Sequence, residues 1–332
     1  MKFPYYTGNP ENRPTTPAEL PKSRREELDK PEGYLPDPGL VDAVNVALLL
    51  GQPLLLTGEP GTGKTQLAYS VAHELGFAKP LKFETKSTST ARDLFYTYDT
   101  LGRFHAAYAR ASNADSLEYL TYNALGLAIL LANKESAIKQ KQCLPKNFKH
   151  DGPRRSVVLI DEVDKAPRDF PNDLLNEVEG MYFKIPELKN VEIKADDDMR
   201  PILIITSNSE KHLPSAFLRR CIYYNIPFPD EKRLTKIVET RLGRFAGGSS
   251  VLLAEALAFF YQLREPNSGL TKTPATAELL GWLLALRALD GDLPLRQRSS
   301  QRIVSTLSTL IKAEEDQKKA EVLLNDWLGK EK

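Results

Sequence analysis

The sequence predicts an α/β protein with a parallel central sheet, followed by a small all-helical domain. Three observations carry that expectation. The apolar run Leu54–Leu56 leads into a glycine-rich loop and then into residues with helical spacing. Strand-like and helix-like segments alternate up to about residue 229, the pattern of an α/β layer. Beyond Pro229 only helical periodicity remains, over 231–243, 250–264, 275–289 and 298–328.

Residues 1–38 hold eight of the 23 prolines and the charged run KSRREELDK. Such a segment sustains neither helix nor strand, so an extended Pro-rich arm is expected there. From residue 39 the character changes: Leu40, Val41, Val44, Ala47 and Leu48 recur at helical spacing. A strand over 53–57 follows, then a helix over 65–75 with Leu67, Ala68, Val71, Ala72 and Leu75 on its apolar side, then a strand near 80–85. Residues 113–153 read as an insert or connector, with a helix over 117–139 and the basic tract KNFKHDGPRR at its end. The runs 156–160 and 202–206 are continuously apolar, as parallel strands covered on both faces are. The expected division is an arm (1–38), an α/β domain (39–229) and a helical domain (230–332).

The loop itself reads Gly58, Glu59, Pro60, Gly61, Thr62, Gly63, Lys64, Thr65, a complete G-x-x-x-x-G-K-[ST] pattern between a strand and a helix. Each position has a mechanical reason. Gly61 and Gly63 let the backbone turn where a side chain would clash. Loop N–H groups and the helix N-terminus then face an anion together. Lys64 reaches the β- and γ-phosphates of a nucleoside triphosphate, and the Thr65 hydroxyl ligates Mg²⁺.

A phosphate loop alone binds; turnover needs more. In VVLIDEVDKAP (157–167) four apolar residues end in Asp161 and Glu162, at the carboxyl end of a buried strand, where open α/β sheets bind ligands. Asp161 suits the Mg²⁺ shell and Glu162 a general base for water. A third strand, Ile202–Thr206, leads into Ser207 and Asn208, either a simple turn or a water-orienting amide. In LPSAFLRRC (213–221), Arg219 and Arg220 are either surface ion-pairing residues or arginines supplied to a neighbouring subunit's site.

These four pieces, in this order, resemble the AAA+ ATPases, most closely their MoxR branch, from about Tyr34 to Leu289. The resemblance is tightest over DEVDKAPRDFPNDLLNEVEG and ITSNSEKHLPSAFLRRC. It implies a P-loop NTPase fold whose AAA+ core is followed by a helical lid, with ATP and Mg²⁺ as cofactors. Gly58–Thr65 would be the Walker A loop, Asp161 and Glu162 the Walker B pair, Asn208 sensor 1, and Arg220, with Arg219 beside it, the arginine finger acting in trans. MYFKIPELKNVEIKADDDMRP (181–201) looks like the hairpin inserted in that branch, and residues 88–98 occupy the place of pore-facing elements. One departure matters: Thr271–Glu278 carries Lys272 where the lid's sensor 2 arginine is usual. A ring of like subunits, a hexamer, is implied, acting on a protein client. Relatives often work with a von Willebrand factor A domain protein, here a separate chain.

The totals bound the alternatives. With 45 Lys+Arg against 44 Asp+Glu the net charge is +1, which argues against a nucleic-acid motor. A nucleotide-dependent switch or scaffold is the other competing class. The N-terminus lacks the apolar core of a signal peptide and the longest apolar runs are too short to span a bilayer, so a cytoplasmic location without membrane contact is expected. Cys143 and Cys221 lack metal-type spacing and fit a reducing compartment. His73, His105, His150 and His212 share no metal-ligand spacing. Trp282 and Trp327 sit in apolar helices and read as core. Phe95, Tyr96 and Tyr98 fit a polypeptide grip and a buried core equally.

Overall fold

The computed structural model describes residues 5–6, 8–9, 11, 13, 15–20, 28, 30–108, 116–145, 148–209, 213–243 and 250–329. The chain divides into two compact units, Tyr34–Phe228 and a second made of 229–332 together with 1–33. Residues 1–4, 7, 10, 12, 14, 21–27 and 29 of the expected arm lie outside the described residues, as do residues 113–115 and 146–147 of the expected connector and His212.

The first unit carries strands β1 (Leu54–Gly58), β2 (Leu81–Glu84), β3 (Tyr96–Tyr98), β4 (Leu120–Tyr122), β5 (Val157–Asp161), β6 (Tyr182–Ile185), β7 (Val191–Lys194), β8 (Ile202–Thr206) and β9 (Ile222–Ile226). Five of them form one parallel sheet in the order β2-β5-β8-β1-β9. This is the parallel α/β sheet expected from the alternating pattern. The interior strands are apolar at successive positions because each side chain meets a covered face. Leu54, Leu56, Val157, Leu159 and Ile204 point to one face. Their alternates Leu55, Val158, Ile160, Leu203 and Ile205 point to the other, the period of two expected of strands.

The first face is covered by helices α1 (Pro38–Leu50) and α2 (Lys64–Glu74), through Leu40, Ala47, Leu67, Ala68 and Val71. Asp37 caps α1, its carboxylate accepting the Leu40 N–H at 3.0 Å, with Pro38 at the first helical position. The left-handed Gly51 (φ 62°) ends the helix.

The second face is covered by a larger cluster in which Leu94, Phe95, Tyr96, Leu125, Ile129, Phe170 and Phe183 are buried. Phe95 stacks on Phe183 with ring centroids 5.3 Å apart. Phe95 and Tyr96 are therefore core residues, which decides the question that periodicity left open; Tyr98 packs at the cluster's margin.

The expected helix over 117–139 is not continuous. Residues 116–119 form a 3₁₀ turn, Leu120–Tyr122 pair antiparallel with β3, and helix α3 (Ala124–Leu131) and the short helix Glu135–Gln140 follow. Pairing with Tyr96–Tyr98, distant in sequence, overrides the local helical period. All of α3 except Leu127 is buried, and Asn133 stops it by donating its amide to the Ile129 carbonyl at 2.8 Å. Residues 181–201 form the expected hairpin, β6 against β7, turned by the left-handed Lys189 and Asn190.

In the second unit, helices α4 (Glu231–Leu242), α5 (Ser250–Arg264) and α6 (Thr276–Asp290) fall where periodicity predicts them. The expected helix over 298–328 is broken into Ser300–Val304, Leu307–Leu310 and α7 (Glu314–Gly329). The break follows from Thr306, whose hydroxyl turns back to the Ile303 carbonyl (2.7 Å) and accepts the indole N–H of the buried Trp282 (2.9 Å). Trp327 packs on Phe259 and under the Arg296 guanidinium, 4.2 Å from the ring centroid.

Gly126 shows how tightly α3 seats against the chain before β3. A Cβ there would lie 2.0 Å from the Phe95 carbonyl oxygen, so backbone must move. Gly126→Ala gains up to about 1 kcal/mol of helix propensity but suffers overpacking of about 1–3 kcal/mol. A net loss of stability is expected, read as a lower urea midpoint with unchanged slope.

Candidate functional site

Parallel strands place their carboxyl ends together, and here β1, β5 and β8 bring the chemistry to one edge. The chain leaves β1 at Gly58 (φ 138°), turns at Gly61 (φ 76°) and Gly63 (φ 90°), and enters α2 at Lys64. These glycines are needed. A Cβ on Gly58 would come within 2.6 Å of the Ile226 carbonyl oxygen, and one on Gly63 within 3.0 Å of the Tyr34 ring. Glu59, Pro60 and Gly61 are exposed, and Thr62 braces the loop with its hydroxyl on the Glu59 carbonyl at 2.8 Å. The first-turn N–H groups of α2 have no carbonyl within the helix to bond.

Lys64 is buried, its ammonium donating to the carbonyls of Gly58 (2.7 Å) and Glu59 (3.0 Å). Burial draws its pKa below the ordinary lysine value, against the opposing pull of Asp164, Glu162, Asp161 and Glu59. An anion in the loop relieves that penalty.

Asp161 ends β5 with nearly all of its surface buried. Its Oδ1 accepts from the Thr206 hydroxyl at 2.7 Å and the Thr65 hydroxyl at 3.0 Å, while Oδ2 lies 3.1 Å from the Lys82 ammonium. Burial alone would raise its pKa. Hydrogen bonds from Thr206, Lys82 and Thr65 outweigh that and hold the carboxyl below its ordinary value. Glu162 takes the left-handed conformation (φ 56°), uncommon for a residue with a side chain. Its N–H donates to the Thr206 hydroxyl at 2.9 Å, and its carboxylate pairs with Lys165. The Asn208 N–H donates to Asp164 at 3.3 Å, and Asn208 is exposed beyond the end of β8.

The structure thus gathers Lys64, Thr65, Asp161 and Glu162 around the loop, with Asn208 on the neighbouring strand end. Arg219 and Arg220 follow the short helix Ser215–Leu218. Arg220 donates from Nε to Glu179 at 3.0 Å and from Nη1 to the Ala216 carbonyl at 3.3 Å; Arg219 is exposed. Among the described residues, neither bonds to Lys64, Thr65, Asp161 or Glu162. Lys272 belongs to the second unit, where its N–H and that of Thr271 bond to Asp316 at 3.0 and 2.9 Å.

Thr206, Lys82 and Asp164 escaped sequence reasoning. Thr206 was signalled only by its place after the last apolar residue of β8, and Lys82 by the apolar–charged alternation of Leu81, Lys82, Phe83 and Glu84. Both acquire meaning from strand order, which no local pattern states.

Among the described residues no three His, Cys, Asp or Glu side chains gather as a metal cage. A hydroxyl beside one carboxylate, at the mouth of a phosphate loop, suits Mg²⁺. That ion keeps several waters and takes few protein ligands plus phosphate oxygens. The donor set therefore fits a magnesium nucleotide, which Thr65 and Asp161 would hold.

Fold and site together define a P-loop nucleotide-binding protein. Residues 54–229, over half the chain, match the ATPase family associated with various cellular activities (AAA), and the chain belongs to that family. No curated protein sequence matches it significantly. Among solved structures it is similar to the Thermotoga maritima RuvB Holliday junction branch migration motor, at 16% identity and a TM-score of 0.39. Two further forms of Thermotoga maritima RuvB match at 17% and 16% identity, each with a TM-score of 0.40. Each match covers 81% of this chain and 66% of the other, so the chain spans just under two thirds of those proteins' length. No described helix is long and apolar enough to cross a membrane.

Thr206→Val keeps the shape but removes a donor to Asp161 and an acceptor for the Glu162 N–H. A loss of about 1–3 kcal/mol at neutral pH is expected from the unsatisfied groups. Because the folded state holds the Asp161 carboxyl below its ordinary value, its ionised form contributes stability above that ordinary value that is lost as pH falls through the lower, folded one. Urea unfolding across that acid range should show the wild-type advantage shrinking, and a carboxyl NMR titration should place Asp161 higher in the variant.

Proposed function

We propose that this AAA ATPase is a MoxR-like member, which couples magnesium-dependent ATP hydrolysis to remodelling or maturing a protein partner. The observation that carries the hydrolytic part is the joint anchoring of Asp161 and Glu162 by one hydroxyl, that of Thr206. Lys64 and the loop N–H groups take the β- and γ-phosphates. Thr65 and Asp161 hold Mg²⁺, which when bound neutralises charge on the phosphate oxygens. Glu162, whose side chain is partly exposed, accepts a proton from the attacking water, and Asn208 orients that water.

Arg220, with Arg219, acts on the site of the next subunit of a ring, which we place at six copies. In one chain Arg220 is held by Glu179, with both side chains substantially exposed. An exposed pair of this kind is worth about 0–1 kcal/mol, so a neighbouring phosphate displaces it readily. The hairpin β6–β7 ahead of β8 supports the MoxR assignment, since that branch carries a hairpin at this place. The proposed organisation is an arm (1–38), a nucleotide domain (39–229) and a helical lid (230–332), with Lys272 in the place of sensor 2. The client is a protein, and a separate von Willebrand factor A domain partner fits this branch.

Lys64→Ala should abolish ATP binding by calorimetry; retained affinity would remove the phosphate-loop assignment. Glu162→Gln should bind ATP normally while turnover falls about 10²–10⁴-fold. Arg220→Ala should bind ATP but hydrolyse it slowly, and mixing it with Glu162→Gln subunits should restore part of the rate. Failure of the mixture to recover would exclude action in trans. Affinity capture with Glu162→Gln, which holds ATP without turnover, should retain the client.

A further inference from the structure

The geometry points to Lys82 as a positioning residue for the metal-binding carboxylate: a resident cation that sets how tightly the site takes Mg²⁺. This rests on the assignment of Asp161 as the metal-holding carboxylate. In the sheet register Glu84 of β2 sits directly opposite Asp161 of β5. Two carboxylates facing across neighbouring strands repel each other. Lys82, two residues before Glu84 and on the same face, resolves the conflict by reaching both: Glu84 Oε1 at 2.7 Å and Asp161 Oδ2 at 3.1 Å.

The division of labour on Asp161 is specific. Both hydroxyls, from Thr65 and Thr206, are on Oδ1, while Lys82 alone is on Oδ2. Lys82 therefore fixes the rotation of the carboxylate and supplies positive charge where a divalent cation gains most. Its environment makes it an effective competitor, because its side chain is 30% exposed and that of Asp161 12%. Charges so placed are screened far less than surface pairs. Glu84, 70% exposed, is the alternative partner to which Lys82 moves when a cation takes Asp161. The niche thus holds one unit of exchangeable positive charge between two carboxylates.

The test uses the full-length chain with ATP and Mn²⁺ as the spectroscopic probe for the metal, titrated by electron paramagnetic resonance, with ATP affinity measured in parallel in EDTA. Lys82→Met should bind Mn²⁺ about tenfold more tightly in the presence of ATP, with metal-free ATP affinity unchanged. Glu84→Gln, which leaves Lys82 wholly on Asp161, should weaken Mn²⁺ binding, and Lys82→Arg should restore the wild-type value. Lys184→Met makes the same change of charge on the β6–β7 hairpin, where Lys184 pairs with Glu192, and should leave metal affinity unaltered. Equal or weaker Mn²⁺ binding in Lys82→Met would overturn the role of Lys82, as would an equal shift in Lys184→Met. Loss of metal-linked ATP binding in the wild type itself would instead overturn the site assignment, and the role of Lys82 with it. A distinct manganese spectrum for Lys82→Met, with wild-type unfolding behaviour, separates positioning from a merely structural contact.

Discussion

The hydrogen bond from the Thr206 hydroxyl to Asp161, 2.7 Å long, ties the carboxyl ends of the two central strands β5 and β8. The same oxygen accepts the Glu162 N–H, so one side chain sets both acidic residues. Thr65, at the start of α2, adds a second hydroxyl to Asp161 and joins the phosphate loop to this arrangement. The consequence is electrostatic as well as geometric. A carboxylate buried this deeply would prefer to be neutral, and only its donors keep it ionised and ready for a cation.

The sheet is what makes such placement dependable. Its two faces are filled by separate apolar clusters that use alternate residues of the same strands, so a slip of one residue would exchange the faces. Glu84 can then sit opposite Asp161, and Thr206 beside it, without variation. The loop that binds phosphate draws its shape from the same frame. Gly58 passes within van der Waals contact of β9, where any side chain would meet the Ile226 carbonyl.

Much of this was legible in the linear chain. The phosphate loop is a local object, because glycine placement, the following lysine and threonine, and the strand and helix on either side all lie within some twenty residues. The Asp161–Glu162 pair was equally visible, as a polar end to an apolar run. Segments whose conformation depends on distant partners were not. Residues 120–122 carry a helical period yet pair with β3, and the helix expected over 298–328 breaks because Thr306 serves the indole of Trp282. Phe95 and Tyr96 suited a gripping surface as well as a core until Phe183, nearly ninety residues on, was seen packed against them.

The sequence by itself determined the class of fold, membership in the AAA family over residues 54–229, and the residue types available at the site. Those properties follow from short-range patterns: hydrophobic period, glycine positions, and charges at strand ends. Only the tertiary structure decided how the charges are partnered. It put Lys82 between Glu84 and Asp161, Thr206 under both acidic residues, and Arg220 on Glu179. Strand order makes these neighbours, and strand order is a property of the whole core that no single stretch of sequence contains.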